Sequence, residues 1–144
     1  MLRWESGEGL RREARGSEMW FKVTGSDTQG RFSLMERTLP AGGRMPPPHR
    51  HVDHDEAYFV LDGVVEFRVD SDVSTGGVGG FYFVPAGEAH TFGNTSDRPA
   101  RLLVLHAPAL DDYFRELEDL WSNGKSHTPE EDRELMRRHG MEPV

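Results

Sequence analysis

Short apolar runs fill residues 20–105, and glycine, proline or a polar turn stops each of them. The runs at 20–24, 31–39, 57–61, 64–69, 81–84, 89–92 and 101–105 carry the aromatic and β-branched side chains that favour strands. Asp62-Gly63 between two such runs predicts a β-hairpin turn. Pro46, Pro47 and Pro48 cannot donate ladder hydrogen bonds, so that stretch is expected as extended edge or loop. Residues 70–80 read as turn. Short strands at this spacing predict an all-β sandwich or barrel.

After Pro108 the period changes. Leu110, Phe114, Leu117, Leu120 and Trp121 fall on one helical face, with Asp111 and Asp112 at its N-terminal end. Thr128-Pro129-Glu130-Glu131 reads as the capping box of a second helix, stopped by Gly140. These helices are expected to cover the outside of the β structure or a partner subunit. Residues 1–18 are polar and without period, and read as a loose arm, with an edge strand as the alternative. The expected organisation is an arm at 1–18, a β domain at 19–108 and a helical tail at 109–144.

The composition excludes several functions. With no cysteine there is no disulfide, no thiolate ligand and no cysteine nucleophile, so a bound metal must use nitrogen and oxygen. A net charge of −8 opposes nucleic-acid binding. No apolar run spans a bilayer, and residues 1–7 lack the apolar core of a secretory signal, so a cytoplasmic protein without membrane contact is expected.

Against that background the histidines stand out. His49 and His51, one residue apart in an extended segment, point the same way and can grip one ion. Glu56 follows closely enough to reach back, whereas His90 needs the fold to bring it near. Three neutral imidazoles and a carboxylate around a divalent ion leave a formal charge of about +1 and open coordination positions, which suits an anionic ligand. By the two-residue period, Tyr58 shares the face of Glu56, and Phe92 that of His90, giving either an aromatic pocket wall or plain core. His106 closes a strand and can face the same cavity. His54 reads as an exposed turn residue, and His127 and His139 as solvated.

Two blocks carry a family resemblance. Gly43, His49, His51, Glu56 and Gly63 fit G-x5-H-x-H-x4-E-x6-G. Gly79, Pro85, Gly87, His90 and Asn94 fit G-x5-P-x-G-x2-H-x3-N. Ten matched positions in two ordered blocks resemble the paired motifs of the cupin superfamily. The resemblance implies a jelly-roll β-barrel with one internal metal held by His49, His51, Glu56 and His90. It also implies that Asn94 shapes a turn. The metal would be a divalent Fe, Mn, Ni, Cu, Co or Zn ion.

A short single-domain cupin with a helical tail is similar to quercetin dioxygenase-like bacterial proteins. That implies O2-dependent cleavage of an enolised or phenolic small molecule in an apolar wall of Tyr58, Phe92 and His106, with Glu56 accepting the substrate proton. Similar small cupins are polyketide cyclases, isomerases or decarboxylases, which use no O2, and a non-catalytic binding module is the third alternative. The resemblance also implies a homodimer.

Overall fold

The computed structural model describes residues 1–43, 45–122 and 124–144. The strands are β1 (Leu10–Ala14), β2 (Ser17–Val23), β3 (Ser33–Leu39), β4 (His49–His51), β5 (Asp55–Asp62), β6 (Val65–Val69), β7 (Asp72–Gly76), β8 (Phe81–Val84), β9 (His90–Gly93), β10 (Ala100–Ala107) and β11 (Met141–Pro143). The helices are α1 (Gly25–Thr28), α2 (Asp111–Trp121) and α3 (Pro129–Arg138). One sheet runs β1-β2-β3-β10-β5-β8 and the other β11-β4-β9-β6-β7. All pairings are antiparallel. The sheets form a jelly-roll-like fold, and neither closes on itself as the expected barrel would.

Alternation builds the core. Met19 and Phe21 on β2, Met35 and Leu39 on β3, Leu102 and Val104 on β10, and Tyr58 and Val60 on β5 are buried and in register. Val65 and Phe67 of β6 and Phe92 of β9 supply the facing layer. None of the helices is long and apolar enough to cross a membrane.

Three sequence expectations change. Asp62-Gly63 is not a hairpin: β5 and β6 lie in different sheets, so the dipeptide is a corner between them. Gly63 has φ +74°, and a Cβ there would stand 2.6 Å from the Pro99 carbonyl oxygen, so the corner requires glycine. The hairpin instead joins β6 to β7 through Asp70 and Ser71, with Asp70 at φ +51°, and places a strand in the stretch read as turn. Finally, residues 10–14 take the edge-strand alternative rather than the loose arm.

The helical tail finds its cover within the chain. Leu110, Phe114 and Leu117, together with Leu135 and Met136 of α3, are buried in the core. The chain then returns as β11 along β4, pairing Met141 with His51 and Pro143 with His49. A buried ion pair fastens this cover: Arg15, in the β1–β2 turn, reaches Asp132 of α3 at 2.6 Å and the Tyr113 hydroxyl at 3.3 Å. Asp132→Ala leaves the Arg15 charge buried without its partner and is expected to destabilise the fold by about 3 kcal/mol. Urea unfolding of this variant beside wild type measures the loss.

Candidate metal centre

The His-x-His segment is positioned by its prolines. A proline lacks an N–H but keeps its carbonyl, and all three carbonyls here accept a bond. Thr91 Oγ1 donates to Pro46 at 2.7 Å, His49 Nδ1 to Pro47 at 2.7 Å, and the Val144 amide to Pro48 at 2.8 Å. The turn at Pro85–Gly87 adds a further tie, from the Gly87 amide to the His51 carbonyl at 2.7 Å. β4 pairs with β9 at His49 and His90. Asn94 shapes the next turn as the motif implies: its Nδ2 donates to the Leu39 and Arg98 carbonyls, and its Oδ1 accepts from Ser96. Arg44, inside the first motif, lies outside the described residues.

The two sheets meet at Glu56. His49, His51 and His90 come from the five-stranded sheet, and Glu56 from the six-stranded one. One ligand atom from each lies within 4.8 Å of the other three, and all four side chains are buried. Glu56 Oε2 is 2.8 Å from His90 Nε2 and 3.0 Å from His51 Nε2. Its other oxygen, Oε1, accepts from His106 Nε2 at 2.8 Å. His106 faces the cavity, and its main contact there is with the carboxylate.

The ring nitrogens fit a metal. Pro47 and Glu88 carbonyls can only accept, so Nδ1 of His49 and of His90 each carry a proton. Each Nε2 is then the atom that could ligate, in the arrangement usual for imidazoles bound to metal. The His51 ring is buried: its Nδ1 has no hydrogen-bond partner, and its Nε2 meets Glu56 Oε2 at 3.0 Å without hydrogen-bond alignment. An ion at the centre of the cluster would satisfy its Nε2.

Burial lowers the His49 pKa to about 3, with repulsion from His90 adding to it, so this imidazole is neutral at pH 7. At His90 burial also lowers the pKa, but the hydrogen bond and charge of Glu56 prevail and raise it. At His106 burial wins over Glu56, and the pKa falls. Burial alone would raise the Glu56 carboxyl; the His106, His51 and His90 imidazoles hold it well below the usual carboxylate range. Both oxygens of Glu56 are thus engaged, Oε2 toward His51 and His90 and Oε1 with His106.

The cavity beside the cluster is small, about 20 Å³, and is bordered by Arg15, Arg37, His49, His51, Glu56 and His106, with apolar residues including Phe92, Phe114, Met136 and Met141. Phe92 and His106 border it. Tyr58 does not: it packs behind, with its ring 4.9 Å from Phe92 and 5.1 Å from Phe67. Its hydroxyl is buried without a hydrogen-bond partner, and burial with the nearby Glu56 charge pushes its pKa well up. His54 is half-buried rather than exposed, its ring 5.8 Å from His51, and lies outside the cluster. His139 pairs with Glu116, and His127 packs on Trp121 at 4.4 Å, so neither is simply solvated.

Arg37 was missed, although the sequence carries its signal. On β3 it sits between Met35 and Leu39 on the inward face, where a charge is out of place. Arg15, Met136 and Met141 left no comparable signal.

The cupin domain family model matches residues 35–106, half of the chain. The protein is a member of the cupin family. Among solved structures, the cupin resembles the polyketide cyclase RemF from Streptomyces resistomycificus, with TM-score 0.65 and 24% identity over 74% of this chain and 79% of that one. It also resembles a predicted oxalate decarboxylase from Thermotoga maritima, with TM-score 0.64 and 23% identity over 74% and 97% of the two chains. At these identities the likeness is one of fold alone. An uncharacterized protein of Aquifex aeolicus (strain VF5) is 33% identical over 64 residues, covering 44% of this cupin and 52% of the relative. The cupin therefore matches about half the length of that curated relative.

The hydrogen-bond pattern predicts distinct titrations in metal-free protein. His90 holds its second proton to higher pH than an ordinary imidazole, whereas His49 stays neutral down to about pH 3. Imidazole nitrogen chemical shifts followed against pH will read both. A His49 that titrates near 6.5 would contradict the arrangement.

Proposed function

We propose that this cupin is a metal-dependent enzyme that holds one divalent first-row ion on His49, His51, Glu56 and His90 and acts on a small enolisable anion. The observation that carries the reading is the convergence of three imidazole nitrogens and one carboxylate oxygen inside a nearly dry cavity. A metal bound there would supply Lewis-acid stabilisation of an enolate or phenolate oxygen. The chain's own residues do the rest. Pro47 and Glu88 carbonyls orient His49 and His90, His106 fixes the Glu56 carboxylate, and Phe92, Phe114 and the two methionines exclude water.

Non-oxidative chemistry, of the cyclase, isomerase or decarboxylase kind, fits this cavity better than flavonol cleavage. A hollow of about 20 Å³ admits roughly one water, and pockets for drug-sized molecules run to roughly 300–1,000 Å³. The quercetin dioxygenase-like reaction is the second reading, supported by the same charge and by Phe92 beside the cluster.

Purified protein reconstituted with Mn, Fe, Co, Ni, Cu or Zn is expected to hold about one ion per chain. His51→Ala should lose that ion while keeping its β-type circular dichroism; elemental analysis that finds equal metal in the variant refutes the site. Because metal competes with the proton on His90 Nε2, whose pKa is raised by Glu56, binding should release protons and weaken as the pH falls. Calorimetry in buffers of different ionisation enthalpy counts the protons. Turnover of an enolisable oxo acid without O2 uptake supports the main reading, and O2 consumed in step with product supports the second.

A further inference from the structure

Arg37 is the odd member of the cavity wall. It is 3% exposed, on the inward face of β3, in register with Met19 and Leu102 on the neighbouring strands. Its guanidinium carbon stands 5.3 Å from the Phe92 ring, and its Nε donates to Ser17 Oγ at 2.8 Å. Among the described residues it makes no ion pair. The other cavity arginine, Arg15, is neutralised by Asp132 at 2.6 Å. Burial, with repulsion from Arg15, lowers the Arg37 pKa to about 10, which leaves it charged at neutral pH.

A buried cation without a counter-ion is costly unless an anion joins it. Glu56 is the acid that borders the same cavity, and both its oxygens are occupied by histidines. The guanidinium thus faces a small hollow with most of its donors uncommitted. A planar fork of this kind matches a carboxylate.

We infer that Arg37 is a specificity-determining residue that anchors a carboxylate, so that the cavity takes small carboxylic acids bearing a second, enolisable or hydroxyl oxygen directed to the His-Glu cluster. This rests on the metal-site reading above for the second oxygen; the carboxylate contact itself does not. The adaptable side chains of Met136 and Met141 form the part of the wall that can yield to a ligand larger than water.

The test uses pyruvate, oxalate and malonate, each beside its neutral amide, titrated calorimetrically into metal-loaded and metal-free protein. The expected result is a preference of the loaded protein for acid over amide of about 10- to 100-fold, abolished in Arg37→Met. Metal content and thermal midpoint of Arg37→Met should stay at or above wild type, because the variant removes an unpaired buried charge; a structural arginine would give a lower midpoint. Arg37→Lys should retain part of the preference and decides the matter if the methionine variant misfolds. Equal binding of acid and amide by wild type, or an undiminished preference in Arg37→Met, overturns the inference. If metal is absent but metal-free protein still prefers acids through Arg37, the anchor stands and the metal reading falls.

Discussion

The carboxylate of Glu56 is where the two sheets are joined chemically as well as by packing. It enters from β5, in register with His106 of β10, and meets His51 and His90 of the opposite sheet. A bare carboxylate in a dry sandwich would be expelled or protonated. Here one oxygen is fixed by His106, and the other is turned to the imidazoles. The consequence runs outward from that point. The histidines are held from several sides, by the proline carbonyls beneath β4, the Gly87 amide on His51 and the β11 strand laid along its free side.

Dryness has its own supports. α2 buries Leu110, Phe114 and Leu117, and α3 brings Met136 to the cavity wall. The Arg15–Asp132 pair ties α3 to the β1–β2 turn, so the N-terminal strands and the C-terminal cover act on each other across the site. The sheets and the cover thus depend on a pair whose worth lies in its geometry: two charges this buried gain little unless both are fully satisfied. Tyr113, which accepts a further bond from Arg15, supplies part of that satisfaction.

What was legible in the sequence is what depends on near neighbours. The two-residue period of β3, β5 and β10, the helical face of α2 and the Thr128 cap all follow from residues within one turn or one pleat, and the structure has them. Within the cluster, His49, His51 and Glu56 were legible from their close spacing, whereas His90 was legible only through the resemblance carried by the second motif. Pairings between distant segments were not. Whether Asp62-Gly63 folds back or crosses to the other sheet is decided by the closeness of Pro99, and β11 is a strand because β4 offers it an edge. Its three residues, one a proline, carry no strand pattern alone. Arg37 was legible in principle, as a charge at an inward position, but no local rule says that its partner is missing.

One environment does opposite things to two bases in this cavity, and the difference explains the choice of side chain. Burial takes His49 from 6.5 to about 3, which strips its proton and leaves a lone pair for a metal. Burial and a neighbouring charge take Arg37 from 12.5 to about 10, which leaves its charge in place at neutral pH. The same displacement applied to a lysine would bring it from about 10.4 to roughly 8, where a fraction of the molecules is already discharged near neutrality. Burial therefore makes a neutral donor of His49, which lacks a direct bond to Glu56, and a lasting cation of Arg37. The cavity accordingly sets a cluster of imidazoles and one carboxylate beside a fixed positive charge. The low dielectric that creates the first strengthens the second, since a charge pair at a given separation interacts several-fold more strongly there than in water. An anion that enters such a space, which has room for roughly one water, meets both at once.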